Sequence, residues 1–161
     1  MTDLPPVLMH PSLCSVAEIN AFQSLVRANG QASAARVPAS ELLAFLHNGD
    51  GQLIAAGAIK NPAPGYQQRV FTACAGLTTA PGTWPAHEVG FFSVARDYQG
   101  KGLGRRILQA LINEMPHTPL FATTRTPGME RLLEGQGFVV AGKRWVTVSG
   151  QAPLALYMRS V

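Results

Sequence analysis

A glycine-rich turn is the segment of this chain whose residue types and spacing most clearly indicate chemistry. It reads Gln99-Gly100-Lys101-Gly102-Leu103-Gly104, after an apolar stretch and before an amphipathic one. Glycine tolerates positive φ and lets a ligand approach the backbone closely. The first N–H groups of a helix have no intrahelical partner, and the helix dipole adds about half a positive charge beside them. The turn therefore predicts an anion site, and phosphate is the usual occupant.

Two common phosphate-binding motifs do not fit this turn. A Walker A loop needs Ser or Thr directly after its lysine, whereas Gly102 follows Lys101. A dinucleotide-binding fingerprint needs a third glycine, and that position holds Ile107 when counted from Gly102 or Arg105 when counted from Gly100. The turn by itself leaves open a glycine-rich helix start that binds nothing.

Thiols and imidazoles do not form a recognisable centre in this sequence. Cys14 and Cys74 are too few for a four-thiolate zinc site, and Cys74 is more typical of a buried core residue than of a nucleophile. We find no order of Ser, His and Asp that predicts a hydrolase triad. We expect no bound metal, because the four histidines lack metal-ligand spacing: His10, His47, His87 and His117.

The elements that would position the turn follow from apolar periodicity. Ser15-Val16-Ala17-Glu18 is a capping box that predicts a helix ending near Asn29-Gly30. Residues 102–115 form an amphipathic helix pattern directly after the glycine turn. The remaining pattern predicts a short helix from Pro38 through Leu46, strands at 52–60, 69–76 and 88–95, a strand at 120–124, a helix at 129–134 and strands at 138–148 and 154–159.

Composition limits the class of protein. The chain has 161 residues, of which 47% are hydrophobic and 14% charged, which excludes a disordered chain and favours one domain spanning 1–161 with a leader at residues 1–12. No secretory signal and no apolar run of about 20 residues is present, so we expect a soluble, cytoplasmic protein without membrane contact. The net charge of +4 is scattered, so we expect no nucleic-acid partner.

Three segments in the right order resemble the GNAT superfamily of acyl-CoA N-acyltransferases. Gln99-x-x-Gly102-x-Gly104 is similar to the family's pyrophosphate loop, Gln/Arg-x-x-Gly-x-Gly/Ala. Residues 88–94 resemble the family's fourth strand, which often begins with an acidic residue. Leu132-Leu133-Glu134-Gly135-Gln136-Gly137-Phe138 resembles the segment before its sixth strand. With the order of elements, the resemblance covers about residues 12–160.

The resemblance implies an α/β (α+β) fold in three layers. Its central sheet would be mixed, mostly antiparallel, with six or seven strands splayed at the acetyl-CoA site and about four flanking helices. The backbone of Phe92, Ser93 and Val94 would pair with the pantetheine arm like an added strand. The pyrophosphate would be held by the backbone of the loop, with charge from two side chains, so that the implied cofactor-binding residues there are Gln99, Gly100, Lys101, Gly102, Leu103, Gly104 and Arg105.

The implied chemistry is acetyl transfer to an amine, which needs a general base and a general acid. Glu88 stands where the family often has an acidic residue and would act as base through a water, with His87 a lesser candidate. The family's usual tyrosine acid is replaced by Leu133, and Thr126 stands near its usual asparagine. Tyr157 on the last strand is the substitute acid we expect.

Three functions remain open from sequence. The first is an acetyl-CoA-dependent N-acetyltransferase acting on an amine of a small molecule or protein, with a homodimer as one possible assembly. The second, motivated by Leu133, is a CoA-binding regulatory module with little catalysis. The third is a basic adaptor for nucleic acid, which the scattered Lys and Arg disfavour.

Overall fold

In the part of the chain that the structure describes, seven strands form one mixed sheet. The computed structural model describes residues 4–31 and 33–161, and only the backbone of Pro81. Helices and strands are mixed along the chain around this sheet, so the expected fold class is confirmed. The strands are β1 (Val7–Met9), β2 (Leu42–His47), β3 (Leu53–Lys60), β4 (His87–Val94), β5 (Leu120–Thr124), β6 (Val139–Trp145) and β7 (Leu154–Arg159). Their order in the sheet is β1-β2-β3-β4-β5-β7-β6.

The helical elements are less regular than the strands. The α-helices in the described residues are α1 (Val16–Ala28), α2 (Leu103–Glu114) and α3 (Pro127–Glu134). The predicted capping box is confirmed, since Ser15 Oγ accepts from the Glu18 backbone N–H and Glu18 accepts from the Ser15 N–H. A π-helical segment lies at Gln68–Cys74, and single 3₁₀ turns lie at Pro11–Leu13, Ala34–Ala39, Pro81–Thr83 and Arg96–Tyr98.

Tertiary contacts divide the chain into two compact units. The first unit comprises the described residues up to Lys60 together with Val89–Pro116. Its strand β3 is buried on both faces, because Ala56 and Ala58 pack in a core with α1 while Gly57 faces Ile107 of α2. Small residues at these positions let both helices approach the strand. The rest of that core consists mainly of Phe22, Val26, Val37, Leu43, Phe45 and Phe91.

The second unit comprises Asn61–Glu88 and His117–Val161. In it β4 begins in parallel with β5 through the pairs His87↔Leu120 and Glu88↔Phe121. β7 lies antiparallel between β5 and β6. Its core packs the π-helical segment on the sheet, with the Phe71 ring edge-on to Phe121 at 5.0 Å between centroids. The expectation of one domain over 1–161 stays a prediction.

Two predicted elements are wrong. The expected helix from Pro38 through Leu46 is instead a 3₁₀ turn followed by β2, which pairs with both β1 and β3. The expected strand at 69–76 is the π-helical segment, closed by the Ala75 N–H donating to the Val70 carbonyl at 2.8 Å. In both places a short apolar run has no periodicity that separates helix from strand, and packing decides.

The expected leader also needs correction. Residues 7–9 form β1, which pairs antiparallel with β2, while residues 1–3 of that leader lie outside the described residues. Three apolar residues after a proline pair are too short a pattern to predict a strand. Expected strands 52–60, 88–95 and 138–148 agree with β3, β4 and β6 within a few residues, and 120–124 and 154–159 agree at both ends.

Gly57→Ala should destabilise the protein. A Cβ there would lie 2.5 Å from Ile107 Cγ2 and 3.0 Å from the Phe92 ring, so β3 or α2 would have to shift. Overpacking of this kind costs about 1–3 kcal/mol. Urea unfolding measures the loss, and Gly49→Ala is the control, because nothing lies within 4 Å of its added Cβ. Equal stability of the two variants would contradict the packing described here.

Candidate functional site

The glycine turn has the backbone geometry of a ligand loop. Gly100 and Gly102 both have positive φ, at 75° and 76°, a region that non-glycine residues reach only with strain. Gly102 is the N-cap of α2 and makes no side-chain cap. The first N–H groups of α2 are therefore not covered by a capping side chain, which leaves the helix start suited to an anion.

Charges at the start of α2 also favour a bound anion. Its first turn contains no acidic residue and contains Arg105 and Arg106, which is the opposite of what the helix dipole alone prefers. Arg106 donates to the Leu4 carbonyl at 2.6 Å. Lys101 places Nζ 5.1 Å from the centre of the Tyr98 ring. Of the predicted loop residues, Arg105 and Lys101 are exposed, and Leu103 is buried and anchors the helix.

Gln99 connects the turn back to β4. Its Nε2 donates to the Val94 carbonyl at 3.1 Å, and the adjacent Ala95 N–H donates to the Ile54 carbonyl of β3 at 2.8 Å. These bonds fix the chain where the strand becomes the turn. The first unit thus brings the expected loop residues and the expected β4 residues into one continuous segment.

The backbone of β4 is irregular at the residues expected to bind pantetheine. Phe91 has φ of 56°, a conformation that is strained for an aromatic residue. Its ring is nevertheless buried in the core, and its carbonyl accepts from Ser93 Oγ at 3.1 Å. Strain that packing maintains in this way is concentrated at functional positions in proteins.

Side chains from the end of α1 bond the same stretch of β4. Gln31 Nε2 donates to the Phe92 carbonyl and lies 3.2 Å from Ser93 Oγ. The Val94 N–H donates to Asn29 Oδ1 at 3.4 Å. Two of the backbone groups expected to pair with pantetheine are therefore bonded to amide side chains in this structure. Nothing in the sequence pattern of Asn29 and Gln31, which read as a helix end, predicts this contact.

The second unit contains a hydrogen-bonded carboxylate. Glu88 is only 4% exposed, and Tyr66 donates its O–H to Glu88 Oε1 at 3.3 Å. The Tyr66 hydroxyl also bonds the Thr123 hydroxyl, and its ring stacks on Phe121 at 6.4 Å between centroids. A buried carboxylate is tolerated when donors satisfy it, and Tyr66 is such a donor.

The environment of Tyr66 keeps its phenol neutral. Burial raises the pKa of Tyr66 well above its usual value, and the nearby charge of Glu88 raises it further. The Arg69 guanidinium, 5.3 Å from the ring centre, and the hydrogen bond with Thr123 oppose this rise only in part. A neutral phenol remains a hydrogen-bond donor throughout the neutral pH range.

Tyr157 lies on the other face of the sheet from Glu88. Directly paired residues share a face and successive residues alternate. Glu88 pairs with Phe121 and Phe121 with Met158, so Tyr157 points to the opposite side. There its hydroxyl donates to Glu134 Oε1 at 3.1 Å, and burial raises the pKa of Tyr157. The structure does not bring the two predicted catalytic residues together.

Leu133 and the histidines add little to the site. Leu133 is fully buried, so its position contributes packing. Within 4–31 and 33–161, no group of three or more His, Cys, Asp or Glu side chains is placed to hold a metal ion. No helix in the described part of the chain is both long and apolar enough to cross a bilayer.

Sequence reasoning missed Tyr66 as a partner of Glu88. Tyr66 follows a Pro- and Gly-rich stretch and is separated from Glu88 by 22 positions in the sequence. Its position after Pro64-Gly65 signals a turn but gives no indication of what the ring contacts.

Several solved structures share the fold of this chain. No curated protein sequence matches the chain. Solved structures with the same fold include an acyl-CoA N-acyltransferase from Pseudomonas aeruginosa, at 16% identity and a TM-score of 0.66 over 98% of this chain and 99% of that one. Another is the ribosomal-protein-S18-alanine N-acetyltransferase from Escherichia coli, at 17% identity and 0.64 over 97% and 95%. A chain of the NatC complex, solved with Gag peptide and CoA, matches at 15% identity and 0.65 over 98% and 99%.

At these identities the structures establish the fold alone. The acetyltransferase (GNAT) family, in contrast, matches the sequence itself over residues 20–138. That match spans most of the chain and includes β4, the glycine turn, Glu88 and Gly137-Phe138. The chain therefore belongs to the GNAT acetyltransferase family.

Proposed function

We propose that this protein transfers an acetyl group from acetyl-CoA to a primary amine of a small molecule or protein. The amine nitrogen attacks the thioester carbonyl directly, the C–N bond forms, the C–S bond breaks and CoA leaves as the thiolate. Glu88 accepts the amine proton through a water. No metal takes part in these steps, and the transfer needs no covalent enzyme intermediate.

The observation that supports the cofactor assignment best is the conformation of the turn. Gly100 and Gly102 reach positive φ directly before α2, whose first turn contains arginines and no acid. A pyrophosphate held by the backbone of 99–105 would accept from the N–H groups there and offset the charge of Arg105. The space beside Gly102 is open to a ligand, because no protein atom lies within 4 Å of a Cβ built on this residue.

Pantetheine binding would replace contacts within the protein. An arm that pairs with β4 at Phe92 and Val94 needs the backbone groups that Gln31 and Asn29 now bond. Acetyl-CoA binding therefore includes the cost of displacing two side-chain hydrogen bonds, each worth about 0.5–1.5 kcal/mol.

A general base is needed because amines are protonated at neutral pH. A lysine-like amine with a pKa near 10.4 is neutral in roughly one molecule in a few thousand at pH 7, which corresponds to about 4.6 kcal/mol. Glu88 is buried and hydrogen-bonded, so its position is defined. A base placed in this way contributes about 10²–10⁴ in rate.

Protonation of the leaving thiolate stays with Tyr157 as a prediction. Its hydroxyl would have to leave Glu134 to serve as the acid. The buried Leu133 at the family's usual tyrosine position favours the second function, a CoA-binding regulatory module with little catalysis. Cytoplasmic location and a homodimer likewise remain proposals.

Calorimetric titration with acetyl-CoA tests the cofactor site. Gly102→Glu should weaken binding by at least about 100-fold, because a carboxylate would enter the space of the pyrophosphate. Gly51→Glu is the matched control, since Gly51 has φ of 81° and open space around it but lies in the β2–β3 turn. Unchanged affinity in Gly102→Glu would overturn the loop assignment. Tight binding without thiol release in a screen of primary amines would favour the regulatory module.

Gln31→Ala should tighten acetyl-CoA binding by about two- to tenfold, because it removes a side chain that competes for the Phe92 carbonyl. The same titration measures the change. Gln109→Ala is the control, since Gln109 bonds only Asn113 on the surface of α2 among the contacts described. Weaker binding in Gln31→Ala would mean that this side chain helps to hold the cofactor.

Glu88→Gln should lower kcat by about 10²–10⁴ while the Kd for acetyl-CoA stays within about twofold. The acidic limb of the pH–rate profile should disappear, because that limb reports the ionisation of the base. Glu130→Gln is a control carboxylate in the same unit, paired with Arg144. A profile that keeps its acidic limb in Glu88→Gln would exclude Glu88 as the base.

A further inference from the structure

The segment between β3 and β4 gives this chain a tyrosine beside the proposed base. Residues 61–86 leave the sheet, form the π-helical segment and return as β4. Phe71 anchors this segment within the second unit, because its ring lies 5.0 Å from Phe121 and 4.9 Å from Trp84 between ring centroids. Tyr66 precedes this anchored helix, so its ring position is fixed by packing.

The hydroxyls of Thr123 and Tyr66 and the carboxylate of Glu88 are connected by consecutive hydrogen bonds. Thr123 of β5 bonds the Tyr66 hydroxyl, and Tyr66 donates to Glu88 Oε1 at 3.3 Å. A phenol that accepts one bond and donates another has its O–H direction defined. Glu88 and Phe121 are paired residues on one face of the sheet, and Tyr66 stacks on Phe121. Phe121 is therefore the common neighbour of both groups: Glu88 pairs with it in the sheet, and the Tyr66 ring stacks on it.

A base must be held within about 0.5 Å of its productive position to be effective. Glutamate has several rotatable bonds, and a buried carboxylate that lacks a donor protonates or rotates toward one. A neutral phenol holds the carboxylate without adding a counter-charge that would weaken it as a base. An arginine in the same place would fix the carboxylate but would depress its basicity far more.

We propose that Tyr66 is a positioning residue that orients the Glu88 carboxylate for proton transfer, with Thr123 orienting Tyr66 in turn. This inference rests on the proposed function, because it assumes that Glu88 is the base. Tyr66 itself does not contact the reacting atoms in this scheme. Its effect on catalysis passes through Glu88 and vanishes when Glu88 cannot act as a base.

A double-mutant cycle on the full chain tests this dependence. Thiol release from acetyl-CoA is measured with the most active amine of the screen for wild type, Tyr66→Phe, Glu88→Gln and the double variant. Tyr66→Phe should lower kcat by about tenfold or more in the wild-type background and by less than about twofold in Glu88→Gln. The KM for acetyl-CoA and for the amine should stay within about twofold.

Two further variants separate positioning from folding. Thr123→Val should also lower kcat, but by less than Tyr66→Phe does, because Tyr66 keeps its hydrogen bond to Glu88. Thr147→Val makes the same chemical change as Thr123→Val at an exposed hydroxyl of the second unit that accepts from Arg125, and its kcat should not change. Thermal unfolding of each variant measures any loss of fold, and phenylalanine at 66 keeps the ring stacked on Phe121.

Each alternative result is informative. Equal losses from Tyr66→Phe in both backgrounds, or no loss in either, would overturn the positioning role while leaving the proposed function intact. A raised KM for the amine at unchanged kcat would overturn it in favour of acceptor binding. An unchanged kcat in Glu88→Gln, or no turnover with any amine, would overturn the proposed chemistry and this inference together.

Discussion

Backbone N–H and C=O groups need hydrogen-bond partners, and the partners of β4 determine which of its backbone groups a ligand could bond in the first unit. At Phe92 and Val94 the partners are amide side chains of Gln31 and Asn29. A side-chain amide can rotate away from a strand edge, whereas a paired strand cannot leave without unfolding the sheet. The positive φ at Phe91 interrupts the regular strand directly before this stretch, and Gln99 fixes the point where the strand ends. The strand therefore presents exchangeable bonds immediately before a helix start that favours an anion.

Glu88 places a second constraint on the same strand, because a buried carboxylate needs donors. The second unit supplies one such donor from outside the sheet, the hydroxyl of Tyr66. Because the Tyr66 ring stacks on Phe121, which in turn packs against Phe71, the hydrophobic core of the unit also sets the position of the hydroxyl that bonds Glu88. Tyr157 differs from Tyr66 in this respect. It is the residue next to Met158 on β7, so its side chain lies on the other face of the sheet, where its hydroxyl donates to Glu134.

The parts of this protein that sequence predicts are those whose physics is local. The capping box at Ser15, the amphipathic stripe of α2 and the glycines of the turn each depend on residues a few positions apart, and all appear as expected. The pattern predicts the wrong element at Leu42–His47 and at Gln68–Cys74, because each is a short apolar run whose conformation is set by distant partners. Tyr66 and Gln31 were missed for the same reason, since their hydrogen bonds join residues 22 and 61 positions apart.

The candidate site depends on two kinds of contact, one made by backbone groups and one made by side chains. The turn and β4 act through backbone groups whose geometry is set by glycine conformation and strand structure, and both lie within residues 20–138, which match the family. The segment at 61–86 works through side chains: an aromatic anchor at Phe71 and a phenol at Tyr66. Backbone recognition of a cofactor tolerates wide sequence change, whereas a tyrosine aimed at one carboxylate oxygen does not. The geometry of the polar cluster in this chain therefore depends on that segment and on Phe121 and Thr123 of β5, which Tyr66 contacts.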